Sequence, residues 1–241
     1  MIGRSPLYCQ QYDGGHLQLE PQLELDHVFV CAPRAHEDLA LLSGAGLCCG
    51  VNRIHGGQGT ANANFYFDNA YFELLWLHDA VEVRSAVVAP LALWERLTSG
   101  VTGACPFGVA FRALSPPVAE RFSTWKYAAP FLPRGAVMEI VSPRASEKEP
   151  LVFLSRASTA PVDYPPELGV PLEQKGKRRR LRNVHIQTPS GLFSPQLGKV
   201  IETGLLRMER GKTYHMELEF EAGPEGENLD FRPALPFSIR W

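Results

Sequence analysis

The sequence predicts an α+β protein of repeated βαβββ units whose strands are mostly antiparallel. Twenty prolines and 21 glycines among 241 residues cut the chain into short pieces, which favours strands joined by turns over long helices. A strand–helix–strand–strand–strand order recurs along the chain. In addition, LDHVFVCAP at 25–33 aligns without a gap on LRNVHIQTP at 181–189, sharing the leucine, the valine and the terminal proline. His27 then falls opposite Asn183.

After an N-terminal extension (1–22), the first unit (23–78) opens with a strand at 25–32. Alternation places Leu25, His27, Phe29 and Cys31 on one face, and Asp26, Val28 and Val30 on the other. Pro33 ends it, and an amphipathic helix follows at 34–43 with Leu39 and Leu42 inward, stopped by Gly44 and Gly46. A strand is expected at 47–54, then a glycine-rich turn at 55–62 (HGGQGTAN). Strands at 64–67 and 71–77 flank a tight Asp68-Asn69 turn. The connector (79–104) carries a helix at 90–97, with Pro90 suited to its first turn and Gly100 beyond its end.

The second unit (105–158) repeats the order: a strand at 107–113, a helix at 116–122 opened by Ser115, and strands near 125–128, 137–142 and 151–155. Residues 159–179, rich in proline and charge, read as a linker. The third unit (180–241) has the strand at 181–189, a helix at 194–202 capped by Ser194 with Pro195 in its first turn, and strands at 205–208, 214–221 and 234–241.

Composition narrows the function classes. Hydrophobic residues at 45% and charged residues at 21% suit a globular core. A net charge of −2 supplies no field for a polyanion, so no nucleic-acid partner is expected. The basic run 175–182 (KGKRRRLR), without interleaved aromatics, reads as solvated chain entering a strand. No apolar run approaches the roughly 18–20 residues of a membrane span, and Arg4 is followed by no apolar stretch of a secretory signal. Five cysteines without a C-x-x-C pair argue for reduced thiols in the cytoplasm rather than disulfides or structural zinc.

Candidate functional residues cluster in the first unit. Glu73, in the middle of YFELLWL, is costly to bury without a partner. It shares its face with Tyr71 and Leu75, while Phe72, Leu74 and Trp76 take the other. His27 is either a ligand or a half-buried strand histidine bonded to a carbonyl. His55 is either a ligand or proton donor, or a turn histidine beside Gly56 and Gly57. Asn62 either bonds a substrate or locks its turn. His215 and Glu217 fit the wet face of a one-sided strand. The glycines at 56, 57 and 59 lack the G-K-[ST] and following helix of a phosphate loop, and no cysteine sits in a nucleophile's setting.

The segments LDHVFV, RIHGGQGTANANFYF and AYFELLWL together resemble the first module of glyoxalase-like domain proteins in the vicinal oxygen chelate (glyoxalase/bleomycin resistance/extradiol dioxygenase) superfamily. The resemblance implies paired βαβββ modules forming a cupped sheet around a divalent metal, with one ligand from the first and one from the fourth strand of each module. In this chain those positions are His27 and Glu73, which suit Fe, Mn, Ni, Co or Zn. The second module departs from the pattern: Gly108 stands where a second histidine would be, with Arg112 two positions further along on its face. Glu139, in VMEIVS, is a better carboxylate candidate than Glu149; pairing with the third unit would offer Asn183 and Ser238.

Two function classes follow from the resemblance. In one, a metal at His27 and Glu73 binds an oxygen-rich small molecule and supports isomerase, epimerase or lyase chemistry, with His55 or Glu139 moving the proton. In the other, the same cup is a metal-free binding or sequestering site lined by Tyr66, Tyr71, Trp76, Trp125 and Tyr127. Asn62, Tyr71, Arg112 and Trp125 are the expected substrate contacts. The superfamily's habit of exchanging modules between chains leaves a homodimer open.

Overall fold

The computed structural model describes residues 23–114, 120–155, 159–177, 179–221 and 226–241. The N-terminal extension with Cys9, and residues 115–119 of the helix expected at 116–122, lie outside them.

The first module comprises β1 (Leu23–Cys31), α1 (Ala35–Gly44), β2 (Arg53–His55), β3 (Thr60–Tyr66) and β4 (Tyr71–Leu77). The connector holds a 3-10 turn (Ala89–Leu91), α2 (Leu93–Leu97) and α3 (Ser99–Thr102). Strands β5 (Phe107–Ala113), β6 (Trp125–Tyr127), β7 (Met138–Ile140) and β8 (Leu151–Ser155) belong to the second module. The third unit contains β9 (Leu181–Thr188), α4 (Pro195–Ile201), β10 (Leu206–Arg210), β11 (His215–Phe220), β12 (Asn228–Asp230) and β13 (Phe237–Arg240).

The first eight strands form one sheet in the order β2-β3-β4-β1-β5-β8-β7-β6, which curls into a half-barrel. In each module the first strand lies parallel to the fourth, and the two first strands meet antiparallel at the centre. The pairs His27–Ala110 and Phe29–Gly108 flank Val28–Val109, so a local twofold passes through the valine pair. This α+β arrangement of paired modules in a cupped, largely antiparallel sheet is the vicinal oxygen chelate fold that the resemblance implied.

The sheet's two faces have different partners. Val28, Val30, Phe65, Phe72, Leu74, Val109 and Phe111 join one core with the third unit's Val184, Ile186, Met216, Leu218, Phe237 and Ile239. Phe72 stacks on Phe237 at 4.8 Å between ring centroids, and Phe67 meets Phe220 at 4.4 Å. On the other face, Val83, Val88, Leu91, Leu93 and Leu97 of the connector pack against Phe29, Leu75, Ile140 and Phe153. They fill one part of the hollow and leave the rest open.

The third unit does not repeat the pairing of the first two. Its sheet runs β10-β9-β11-β13-β12 and includes the additional short strand β12. Its first strand lies between β10 and β11, whereas a first strand of the other modules pairs within its module only with the fourth. Helix α4 returns the chain to a parallel neighbour, a crossover that the likeness of 25–33 to 181–189 could not reveal. Its cap is as expected, with Ser194 Oγ accepting from the Leu197 amide.

Other departures are local. Residues 47–52 lie outside the strand expected at 47–54, which is confined to Arg53–His55. The helix expected at 90–97 breaks at Ala92, whose φ is 53°. The proline-rich stretch 159–179 is stitched to the first module: Gln174, fully buried, accepts from the Cys48 amide (2.7 Å) and donates to the Tyr66 carbonyl (3.0 Å).

Candidate functional site

A cavity of about 360 Å³ occupies the open part of the hollow. Strand alternation supplies its lining. From the first module come His27 and Phe29 on β1, Arg53 and His55 on β2, Asn62 and Asn64 on β3, and Tyr71, Glu73 and Leu75 on β4. Tyr127, Met138, Ile140, Leu151, Phe153 and Ser155 come from the second module.

His27 reaches this face because β1 is bulged. The register with β5 shifts between Leu25 and His27, giving Asp26 no opposing residue of its own. The bulge reverses the side-chain phase. Leu23 and Leu25 therefore share the core face with Val28 and Val30, while His27, Phe29 and Cys31 face the hollow. The expectation that Leu25 shares a face with His27 is corrected by this extra residue.

The bulge also brings Asp26 beside the imidazole: its Oδ2 lies 2.7 Å from His27 Nδ1. Its Oδ1 accepts from Arg112 Nη1 at 2.6 Å. Burial pushes the Asp26 carboxyl up, but the His27 and Ser155 hydrogen bonds and the charges of His27 and Arg112 prevail and hold it below its ordinary range. An ionised Asp26 accepts only, so His27 carries its proton on Nδ1 and turns Nε2 into the cavity. Arg112 is 1% exposed and also donates to the Leu25 and Asn69 carbonyls, at 3.1 and 2.7 Å. It is absent from the cavity lining, so its placement is that of a support behind His27 rather than a direct substrate contact.

Glu73 Oε2 lies 3.8 Å from His27 Nε2, and its Oε1 accepts from Asn62 Nδ2 at 2.7 Å. A carboxylate cannot donate, so this bond fixes the orientation of the Asn62 amide and turns its Oδ1 away from Glu73. Asn62 sits inside β3 rather than closing the glycine-rich turn, which places it beside Glu73 and removes the turn-locking reading. Asn62 Oδ1 and Asn64 Oδ1 are buried and have no hydrogen-bond partner among the described residues. Each such acceptor costs about 1–3 kcal/mol until a donor meets it.

His27 is held from both sides by rings. Tyr71 stacks on it at 4.5 Å, and Phe153 meets it edge-on at 5.3 Å. Burial, with the Glu73 and Asp26 carboxylates, raises the Tyr71 phenol and keeps it protonated. His55 lines the cavity with Nδ1 2.9 Å from Thr60 Oγ1 and its ring stacked on Phe131 at 4.5 Å. Burial lowers its pKa; Glu73 opposes this, while Arg53 and His27 add to it. Its loop is tied down by Glu82, which accepts from the Gly57 and Gly59 amides at 2.8 and 3.1 Å. Gly59 has a φ of +77°, and a Cβ there would lie 2.4 Å from the Asp79 carbonyl, so this corner requires glycine.

Of the residues singled out by sequence, the structure brings His27, Glu73, His55, Asn62 and Tyr71 together around the cavity. Glu139 alternates with Met138 and Ile140, which line the hollow, so it points from the other face of β7. Trp125 donates its indole N–H to the Ser142 carbonyl at 2.8 Å and lies under Arg144, outside the lining. Trp76 packs against the core on the opposite face from Glu73. Asp26, Gln58, Asn64, Met138 and Phe153 were not anticipated. Alternation with Asn62 could have signalled Asn64; the bulge behind Asp26 has no sequence signature.

The local twofold explains the site's asymmetry. His27 pairs with Tyr71 on β4, and its counterpart Gly108 pairs with Leu151 on β8. Two residues further along, Glu73 corresponds to Phe153, and their β3 and β7 neighbours Asn64 and Ile140 correspond in turn. Each polar position of the first module thus faces an apolar one in the second. Gly108 cannot carry a ligand here: a Cβ would lie 1.9 Å from the Phe29 ring. Gly108→Ala is accordingly expected to destabilise the protein by about 1–3 kcal/mol, with Phe29→Leu in the same chain recovering much of the loss in a urea melt.

The fit of a resident divalent metal follows from this donor set. Two of the four ligand positions hold His27 and Glu73, at a separation that could span an ion, and two hold Gly108 and Phe153. Among the described residues no group of three or more His, Cys, Asp or Glu could hold a metal. The residues do not fit the three- or four-ligand site that such an ion takes.

No helix among the described residues is long and apolar enough to cross a membrane. No protein-family model matches the chain, and no curated protein sequence matches it. Among solved structures it is similar to a hypothetical protein from Staphylococcus aureus, at 10% identity over 90% of this chain and 98% of that one, with a TM-score of 0.56. A hypothetical protein from Bacillus halodurans matches at 17% identity over 56% of this chain and 96% of that one, with a TM-score of 0.37. A methylmalonyl-CoA epimerase variant from Streptomyces coelicolor matches at 15% identity over 57% and 98%, with a TM-score of 0.36. The Staphylococcus aureus likeness, over nine-tenths of this chain, is one of fold.

Proposed function

We propose that the protein binds a small organic molecule in the cup between its first two modules, without a resident divalent metal. The observation that carries this reading is the pairing of polar with apolar positions across the local twofold. A ligand's apolar body would lie on Met138, Ile140, Leu151 and Phe153, and its polar end on His27, Asn62, Asn64 and Glu73. The cavity's volume, about 360 Å³, suits a ligand smaller than most drugs. Such a site serves capture and sequestration directly.

A second reading, metal-dependent isomerase, epimerase or lyase chemistry, is favoured by the 3.8 Å between His27 Nε2 and Glu73 Oε2. One experiment separates the two: a fragment screen by thermal shift in chelator and again with Mn²⁺ or Zn²⁺, alongside metal analysis of wild type and Glu73→Ala. Metal-free binding predicts the same hits in both buffers, all lost in Met138→Trp, and no stoichiometric metal. Hits confined to the metal buffer, with metal lost in Glu73→Ala, would establish the second reading instead.

A further inference from the structure

We propose that the group this cup selects is a protonated amine carried on a small aromatic or alkyl body. The inference rests on the binding reading above and adds the charge and hydrogen-bond sense of the ligand. The polar half presents acceptors. Glu73 Oε2 faces His27 Nε2 at 3.8 Å, and the Asp26–Arg112 pair behind His27 commits the imidazole proton to Nδ1. With Nδ1 engaged by Asp26, Nε2 is the imidazole atom that faces Glu73 Oε2, and at 3.8 Å the two make no hydrogen bond to each other. Asn62 donates one amide hydrogen to Glu73 Oε1, which leaves its oxygen unpartnered, and Asn64 Oδ1 is likewise unpartnered among the described residues.

The charges point the same way. Among the described residues Glu73 has no basic residue in ion-pair contact other than the imidazole, whereas Asp26 is neutralised by Arg112. Arg53, the guanidinium in the lining, belongs to an exposed edge-strand residue at the rim. Around Glu73 the lining therefore offers a carboxylate with no Lys or Arg partner among the described residues and two amide oxygens, with the Tyr71 hydroxyl beside them. An ammonium, with up to three donors and a positive charge, complements that set; a carboxylate or phosphate would be repelled by Glu73 and would leave the two amide oxygens without a donor. The Tyr71 and Phe153 rings against His27 add faces and edges suited to a cation on an aromatic body.

The test is calorimetric titration at pH 8 in chelator with three probes of one shape: 2-phenylethylamine, 2-phenylethanol and phenylacetate. The amine is expected to bind at least about tenfold more tightly than the alcohol, with phenylacetate weakest, and Glu73→Gln is expected to bring amine and alcohol level. Equal affinities in wild type, an amine preference that survives Glu73→Gln, or no binding of the amine would each overturn the proposal. Displacement of the amine by Mn²⁺ or Zn²⁺ alone, one for one, would assign the same acceptors to a metal and also overturn it. Propylbenzene separates this failure from that of the cup: its binding to wild type, abolished by Met138→Trp, keeps the binding reading standing when the amine fails.

Discussion

Replacing Arg96 by methionine is expected to lower stability by about 2–5 kcal/mol, because each buried carbonyl left without its donor costs about 1–3 kcal/mol. Arg96 is 1% exposed and has no carboxylate in ion-pair contact among the described residues; its guanidinium donates to the carbonyls of Leu91 (3.2 Å), Cys105 (2.9 Å), Ser146 (2.5 Å) and Glu149 (2.6 Å). Those carbonyls belong to the connector, the entry to β5 and the loop before β8, so one side chain holds three segments. Burial depresses its pKa, with no effect on charge in the working range. Methionine fills similar volume but leaves the buried Leu91 and Cys105 carbonyls, and the part-buried Ser146 and Glu149 carbonyls, without that donor. Urea unfolding should show the midpoint fall with little change in slope; a loss below about 1 kcal/mol would mean that the carbonyls find other donors.

The second large effect is expected at Arg112. Removing it as Arg112→Met leaves Asp26, itself 1% exposed, as a buried charge with only His27 and Ser155 beside it, at a cost of about 3–5 kcal/mol near neutral pH. The folded-state pKa of Asp26 lies below its ordinary value of 3.8. In the wild type its contribution is therefore complete above that range and lost as pH falls through the folded value. The penalty of Arg112→Met should accordingly shrink once the pH drops below about 4, where the unpaired carboxyl takes a proton. The double variant Asp26→Asn, Arg112→Met should lose less than the sum of the two single changes. Additive losses at every pH would show that the pair is not energetically coupled.

Neither arginine's role was legible in the sequence, for a physical reason. Alternation and turn chemistry report which face a side chain takes, and they placed Glu73, Tyr71 and Phe72 correctly because β4 is regular. They mis-phased Leu25 because a bulge adds one residue to β1 alone, and period-two reasoning carries no signal for it. Arg112 was read as a substrate contact from its face; its actual neighbour is Asp26, which the bulge delivers. Asn62 was read as part of a turn because three glycines precede it, although β3 already begins at Thr60. The paired-module fold was legible because its signal is spread over many strands. The pairing order of the third unit was not, because alternation reports the face of each side chain and carries no signal for which strand becomes its neighbour.

The asymmetry across the Val28–Val109 axis also divides labour between two stretches of chain. In a fully symmetric cup every substitution at a lining position would disturb charge and shape together. Here the His, Glu and Asn residues of the lining all lie within 27–73, and Met138, Ile140 and Leu151 contribute contour. A library restricted to those three positions would therefore redraw which molecules fit while leaving the anchoring chemistry intact. Chemical selectivity and steric selectivity are separately adjustable in this protein.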